Sequence, residues 1–243
     1  MSTQTFHPFI LLTPTLFLIP TPIAMSIQSY RTLYRNLHAN AAFCTMGFGS
    51  HFPPREWSDP ETETSIRTRD VARCWGVRGM GDFAMSLRTS DDEVKGRELG
   101  ANVVLVDGEE YVRWVAKRGG LEGVEWIGYA GIRDATTTSL PELEEGESWP
   151  DWREMVELRY GVAPDYWGKG LARIGADAVM LWGVKEMGVK RYIAETEKEN
   201  VRSGKVLGKM GFKSLEGVSY FKEESEDEWV LSAEDLVQRL GKL

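Results

Sequence analysis

Metal- and redox-type residues are scarce in this chain. It has two cysteines and three histidines in 243 residues. Cys44 and Cys74 form no Cys-x-x-Cys pair, and His7, His38 and His51 are scattered, so no metal-ligand spacing occurs and no metal is expected. No Asn-x-Ser/Thr acceptor is present. A reducing, cytoplasmic setting is the expectation. Basic excess is also missing: 29 Lys and Arg stand against 37 Asp and Glu, a formal net charge of −8. That balance argues against nucleic acid or an anionic membrane as partner, since phosphate contacts need clustered cations. Long apolar runs are absent too. "FHPFILLTPTLFLIPTPIA" is interrupted by Pro8, Pro14, Pro20 and Pro22, and no stretch approaches roughly 18 residues. No Lys or Arg precedes Arg31, so the basic start of a targeting signal is missing. Leu16 to Ile19 reads as a buried strand bounded by prolines.

What is present suits one globular domain over 1–243, with 1–14 as an N-terminal extension and 140–154 as an acidic loop. Ser26 to Asn40 has Ile27, Tyr30, Leu33, Tyr34 and Leu37 on one helical face. "FCTMGFGSHFPPREWSD" reads as a loop, and Asp59 or Thr62 opens a helix running to about Trp75. "DFAMSLR" and "EWIGYAGIRD" are strands. "NVVLVDGEEYVRWVAKR" reads as a hairpin around Asp107-Gly108. "MVELRYGV" is a strand and "KGLARIGADAVMLWGVKEMG" a helix capped by Gly188. "VKRYIAE" is a strand, Asn200 an N-cap for a helix ending at Gly211, and "FKSLEGVSYF" and "EWVLS" are strands before a last helix.

The stretch "VAPDYWGKGLA", residues 162–172, places glycines around a lysine between a strand and a helix. A phosphate loop of the GxxxxGK[S/T] type fails, because Ala163 stands five before Gly168 and Gly170 follows Lys169. A GxGxxG fingerprint fails on the spacing to Gly175. What remains is a helix N-terminus with free peptide N–H groups and a favourable dipole, reached past glycines that carry no Cβ. A tight turn that binds nothing would share the pattern.

The flanking residues resemble the acetyl-CoA loop of the GCN5-related N-acetyltransferases (GNAT), V-x-P-x-Y-[Q/R]-G-x-G-[I/L]-[G/A]. "ETEKENVRSGKVLGKMGF" resembles that family's following helix, in the style of the ribosomal-protein-alanine acetyltransferase branch. The resemblance implies an α+β fold. A mostly antiparallel twisted sheet of about seven strands would be flanked by helices and splayed at the acetyl-CoA site. It implies backbone groups of Tyr160 and Val162 toward the pantetheine arm, and amides of Trp167, Gly168, Lys169, Gly170, Leu171 and Ala172 on the diphosphate. Asn200 and Ser203 would lie near the pantetheine, with Lys205 a phosphate contact. Asn200 as a plain cap and Lys205 as a solvated lysine remain open. Trp167 stands where Gln or Arg is usual. Leu207 stands where many members have a tyrosine that protonates the thiolate, which leaves Tyr160, Tyr192 or solvent for that step.

Acyl transfer to an amine needs a base, because a free alkylamine is mostly protonated at neutral pH. Glu195 matches the slot of a glutamate used by some members, with Glu157 the alternative. No Ser-His-Asp set is apparent, which favours direct attack. By the resemblance, Phe48, His51, Phe52 and Trp57 flank the acceptor site. The expected activity is acetyl transfer to a primary amine of a small molecule or amino acid, by a monomer or homodimer. A protein N-terminus as acceptor, or a non-catalytic acyl-CoA-binding module, are the rivals. The acidic segments 142–154 and 222–229 would attract a cationic acceptor if they flank its entrance.

Overall fold

A computed structural model describes residues 6–49, 52–89, 94–215, 220 and 226–241. The N-terminal apolar stretch makes two strands, β1 (Phe9–Leu12) and β2 (Leu16–Pro20), paired antiparallel. Thr13 Oγ1 closes their turn by accepting the Leu16 N–H at 2.7 Å. A helical turn, α1 (Thr21–Ala24), leads into α2 (Gln28–Ala39), which buries Tyr30, Tyr34 and Leu37 at spacings of four and three.

The next segment departs from the expected loop. Its first part is a helix, α3 (Ala41–Phe48), whose N-cap Asn40 accepts the Phe43 N–H at 2.9 Å. The helix was illegible because its residues show no one-sided apolar stripe, yet Phe43 and Cys44 are buried. α4 (Asp59–Ile66) starts with a Ser58–Glu61 capping box. It runs on without a break into a wide π-helical segment, Arg67–Trp75, and the short α5 (Gly76–Arg78).

β3 (Asp82–Leu87) follows, then the hairpin of β4 (Arg97–Gly100) and β5 (Val103–Asp107). The hairpin expected at Asp107-Gly108 does not form. β5 ends at Asp107 and Gly108 opens α6 (Gly108–Lys117). Tyr111, Trp114 and Val115 recur at helical spacing on the sheet side, and Trp114 packs edge-on to Phe17 at 5.1 Å. Glu109 and Glu110 sit in the first turn, where the helix dipole favours them. Tertiary packing and the dipole outweigh the Asp-Gly turn preference here.

β6 (Trp126–Asp134), the turn α7 (Ala135–Thr138), β7 (Val156–Val162), α8 (Leu171–Met187), β8 (Arg191–Glu197) and α9 (Val201–Lys209) come next. β9 (Lys213–Ser214), β10 (Glu226–Ser232) and α10 (Ala233–Leu240) complete the described elements. Most of the expected strand "FKSLEGVSYF", from residue 216 on, and half of the 222–229 segment lie outside the described residues.

The described strands form one ten-stranded sheet in the order β4-β5-β1-β2-β3-β6-β7-β8-β10-β9. The count exceeds the expected seven or so, with β1 and the β4–β5 hairpin extending one edge. α8 covers one face over a core that includes Phe83, Met85, Ile132, Leu158, Val179 and Trp182. α2 and α6 cover the other, over Phe17, Ile19, Tyr30 and Trp126. Each such side chain contributes about 1.5–3 kcal/mol by burial, offset by chain entropy. No helix among the described residues is long and apolar enough to cross a membrane.

Candidate active site

β7 and β8 are the parallel neighbours in this otherwise antiparallel sheet. They pair at Val156↔Tyr192 and Glu157↔Ile193. On its other edge β8 pairs with β10 along its whole length, from Ser232↔Arg191 to Glu226↔Glu197. The far half of β7, from Leu158 to Val162, is therefore paired to β6 on one side alone among the described strands. Its free edge is a row of backbone groups available to a ligand.

A cavity of about 560 Å³ opens at this splay. Tyr160 and Val162 line it from β7, Asn200 and Ser203 from the start of α9, Trp167, Gly168 and Gly170 from the loop after β7, and Leu171 and Ala172 from the first turn of α8. Two expected contacts do not line it. Lys169 lays its Nζ over the Tyr166 ring at 4.9 Å, and Lys205 is exposed on α9. Three cations that sequence reasoning missed, Arg173, Arg202 and Lys209, do line it. Arg202 and Lys209 lie seven residues apart, two helical turns along one face of α9, which is the signal that could have found them.

The loop conformation explains its glycines. Gly168 and Gly170 have φ of 77° and 76°, a left-handed conformation costly for residues with a Cβ. Cβ atoms built there would meet nothing within 4 Å, so both positions face open space. Gly170 is the N-cap of α8, and no side chain caps that end. The first N–H groups of α8 lack intrahelical partners by geometry. A helix end held this way, beside Arg173, suits an anion. Gly161 serves packing instead: a Cβ there would meet the Phe43 and Tyr129 rings at 2.7–2.8 Å.

Trp167 donates its indole N–H to the Val162 carbonyl at 2.6 Å, and Arg202 lies 5.5 Å over its ring. Asn200 caps α9 by accepting the Ser203 N–H at 3.0 Å, and its Nδ2 donates to the Met46 carbonyl of α3. Its side chain thus joins α9 to α3 across the cleft.

The candidate proton-handling groups differ in their surroundings. Burial pushes Glu195 up to about 8, helped by the negative charges of Glu157 and Glu226. Glu195 lines neither this cavity nor the one described next. Glu157 is almost fully buried and holds Arg133 at 2.7 and 2.9 Å, with Ser139 donating to it as well. Those partners outweigh burial and keep its carboxyl below the usual range. Burial pushes Tyr160 up to about 12, and its hydroxyl reaches the Ser203 carbonyl at 3.5 Å. Tyr192 is buried away from the cleft and donates to the Met180 carbonyl at 2.5 Å. Leu207 is buried in the core.

A second cavity, of about 420 Å³, lies on the α2 side of the sheet. Phe48 lines both cavities. Phe48, Phe52 and Trp57, singled out from the sequence, line this second one. His51 lies outside the described residues. Tyr34, His38 and Trp57 complete an aromatic wall, with His38 4.3 Å from Tyr34 and 4.9 Å from Trp57. Burial lowers His38 to about 4, so it is neutral at pH 7. The rest of the lining includes Arg69, Asp70 and Arg73 from the π-helical segment, with Asp82, Arg133 and Arg159 from the sheet. Arg69 and Arg73 are four apart in "RTRDVARCW", a spacing that puts them on one helical face.

The residues described match the acetyltransferase (GNAT) domain family model over 25–213. The chain belongs to the GNAT acetyltransferase family. It is similar to an FsC-acetyl coenzyme A-N(2)-transacetylase of Aspergillus fumigatus, 27% identical over 92 residues, which cover 37% of this chain and 39% of that protein. The aligned part thus spans about two fifths of the curated relative. Among solved structures, an acetyltransferase of Agrobacterium tumefaciens shares the fold with a TM-score of 0.59 and 18% identity, covering 95% of this chain and 98% of that one. An aminoglycoside acetyltransferase in complex with coenzyme A shares it at 0.55 and 13%, over 93% and 97%. RimL, a ribosomal alpha-N-protein acetyltransferase in complex with coenzyme A, shares it at 0.52 and 12%, over 92% and 97%. The splayed strands, the glycine loop and the capped α9 of this chain are thus parts of a GNAT domain.

Proposed function

We propose that this GNAT domain is an acetyl-CoA-dependent N-acetyltransferase acting on a primary amine of a small molecule by direct attack. The observation that carries the reading is the cavity at the β7–β8 splay. It joins a free strand edge to an uncapped helix N-terminus opened by two left-handed glycines. The lining of that cavity suits the cosubstrate chemically: it combines the N–H cradle and Arg173, Arg202 and Lys209 with apolar side chains such as Phe43 and Val162.

In this reading the amides from Gly168 to Ala172 hold the diphosphate, and the edge of β7 near Tyr160 and Val162 holds the pantetheine. Asn200 and Ser203 position that arm. The amine approaches from the second cavity, past Phe48. Its nitrogen attacks the thioester carbon, a backbone N–H near Val162 steadies the oxyanion, and the carbon–sulfur bond breaks. Glu195, which lines neither cavity, takes the ammonium proton by way of a bridging water, and Tyr160 supplies one to the sulfur. Glu157 holds Arg133 in place rather than acting as base, since its carboxyl is already paired.

The modest volume of the second cavity, about 420 Å³, supports a small acceptor over a peptide chain. A screen of primary amines with acetyl-CoA, read by release of free thiol, tests the reading. Amine-dependent thiol release with a matching acetylated product supports it. Acetyl-CoA binding with no turnover for any amine would make the domain a binding module.

A further inference from the structure

We propose that the second cavity selects an acceptor amine that also carries an anionic oxygen group, a carboxylate being the case tested, on an aromatic or alkyl body. The inference rests on the acetyltransferase reading above and names the acceptor class for it.

The chain as a whole is acidic, with a net charge of −8, yet this cavity is lined by Arg55, Arg69, Arg73, Arg133 and Arg159. The two in its floor are already matched. Arg133 holds Glu157, and Arg159 lies 3.4 Å from Asp82 and 5.9 Å from the centre of the Tyr129 ring. The three at its rim are exposed and have no carboxylate partner among the described residues. Arg73 spends one N–H on the Thr137 carbonyl at 3.1 Å, which aims the guanidinium and leaves its other N–H groups free. The cavity therefore presents an excess of positive charge and forked donors suited to a carboxylate.

The π-helical segment places these groups. Such widened turns cost regular helix geometry and recur at functional sites. Here the segment carries Arg69 and Arg73 at the rim and buried Asp70 in the floor. Asp70 Oδ1 accepts the Asp82 N–H at 3.0 Å, while Oδ2 has no hydrogen-bond partner among the described residues. Tyr34, Phe48 and Trp57 line the same cavity and suit a flat or apolar body. The acidic segments do not offset the arginines: no residue of 142–154 lines the cavity.

The test uses phenylalanine and phenylalaninamide as acceptors, with phenylpropionate and phenylpropionamide as ligands that cannot be acetylated. Phenylalanine should exceed its amide in kcat/KM by about tenfold or more, as for a charge-assisted pair. The preference should shrink with added salt. Phenylpropionate should bind by calorimetry and its amide should not. In Arg69→Gln and Arg73→Gln, both exposed positions, the acid-over-amide ratios in rate and in binding should collapse together. Acetylation of both amines with no acid preference, or an unchanged ratio in both variants, overturns the inference and leaves the acetyltransferase reading standing. Phenylpropionate binding that depends on the arginines, without acetylation of any amine, supports the anion site and removes the proposed activity. No binding and no acetylation overturn both.

Discussion

The Trp167 indole N–H and the Val162 carbonyl meet at 2.6 Å, closing the loop between β7 and α8 on itself. The bond fixes the approach to Gly168 and Gly170 with a side chain, at a slot where this chain lacks the family's usual Gln or Arg. Trp167→Phe keeps an aromatic face for Arg202 but removes the donor. A neutral hydrogen bond contributes about 1 kcal/mol, so acetyl-CoA affinity should fall by roughly fivefold if the loop must be ordered to bind. The calorimetric dissociation constant checks this. An unchanged constant would mean that the loop is held by its backbone alone.

Glu195 should impose a pH profile. Its folded value is raised to about 8, so the basic form grows as pH climbs through that value. Turnover should rise with pH and level off above it. Glu195→Gln should lose on the order of 10²-fold in kcat at neutral pH, with a smaller deficit at high pH, where the amine is already neutral. Near-normal turnover of this variant at pH 7 would transfer the role to water.

Asp70 is a stability sensor by the same physics with a different readout. Burial and the neighbouring Asp82 charge raise its carboxyl well above the ordinary aspartate range. The unfolded chain releases that proton at lower pH than the folded one. The stability it contributes is full below the unfolded value and is lost as pH rises toward the raised folded value. Asp70→Asn should flatten this decline and gain relative to wild type at alkaline pH. Denaturant melts across pH measure it, and parallel curves for the two proteins would contradict the assignment.

Much of the cofactor side was legible because it is local. The loop, the Asn200 cap and the Gly188 terminus depend on φ preferences and spacing within a few residues, and the helices and strands around them follow simple periodicity. α3 was hidden because its eight residues mix glycine with apolar side chains and show no stripe. α6 was misread because an Asp-Gly pair prefers a turn until Trp114 packs on Phe17 of the sheet face beneath it. The acceptor wall was illegible for a deeper reason. Arg69 and Arg73 come from one helix and Arg133 and Arg159 from two strands, so their convergence is a property of the sheet order. The overall acidity pointed toward a cationic acceptor, while the charge that faces the second cavity has the opposite sign.

The most direct measurement of the central claim is calorimetric binding of acetyl-CoA to the wild-type chain and to Gly170→Asp. Gly170 is left-handed, faces open space and caps the helix whose N–H groups are assigned to the diphosphate. The variant strains that conformation and sets a carboxylate against an anion, so affinity should fall by on the order of 10²-fold or more. A circular dichroism melt would verify that the variant is folded. Tight wild-type binding that the substitution abolishes is the predicted result. A folded variant that binds acetyl-CoA as well as wild type would contradict the account.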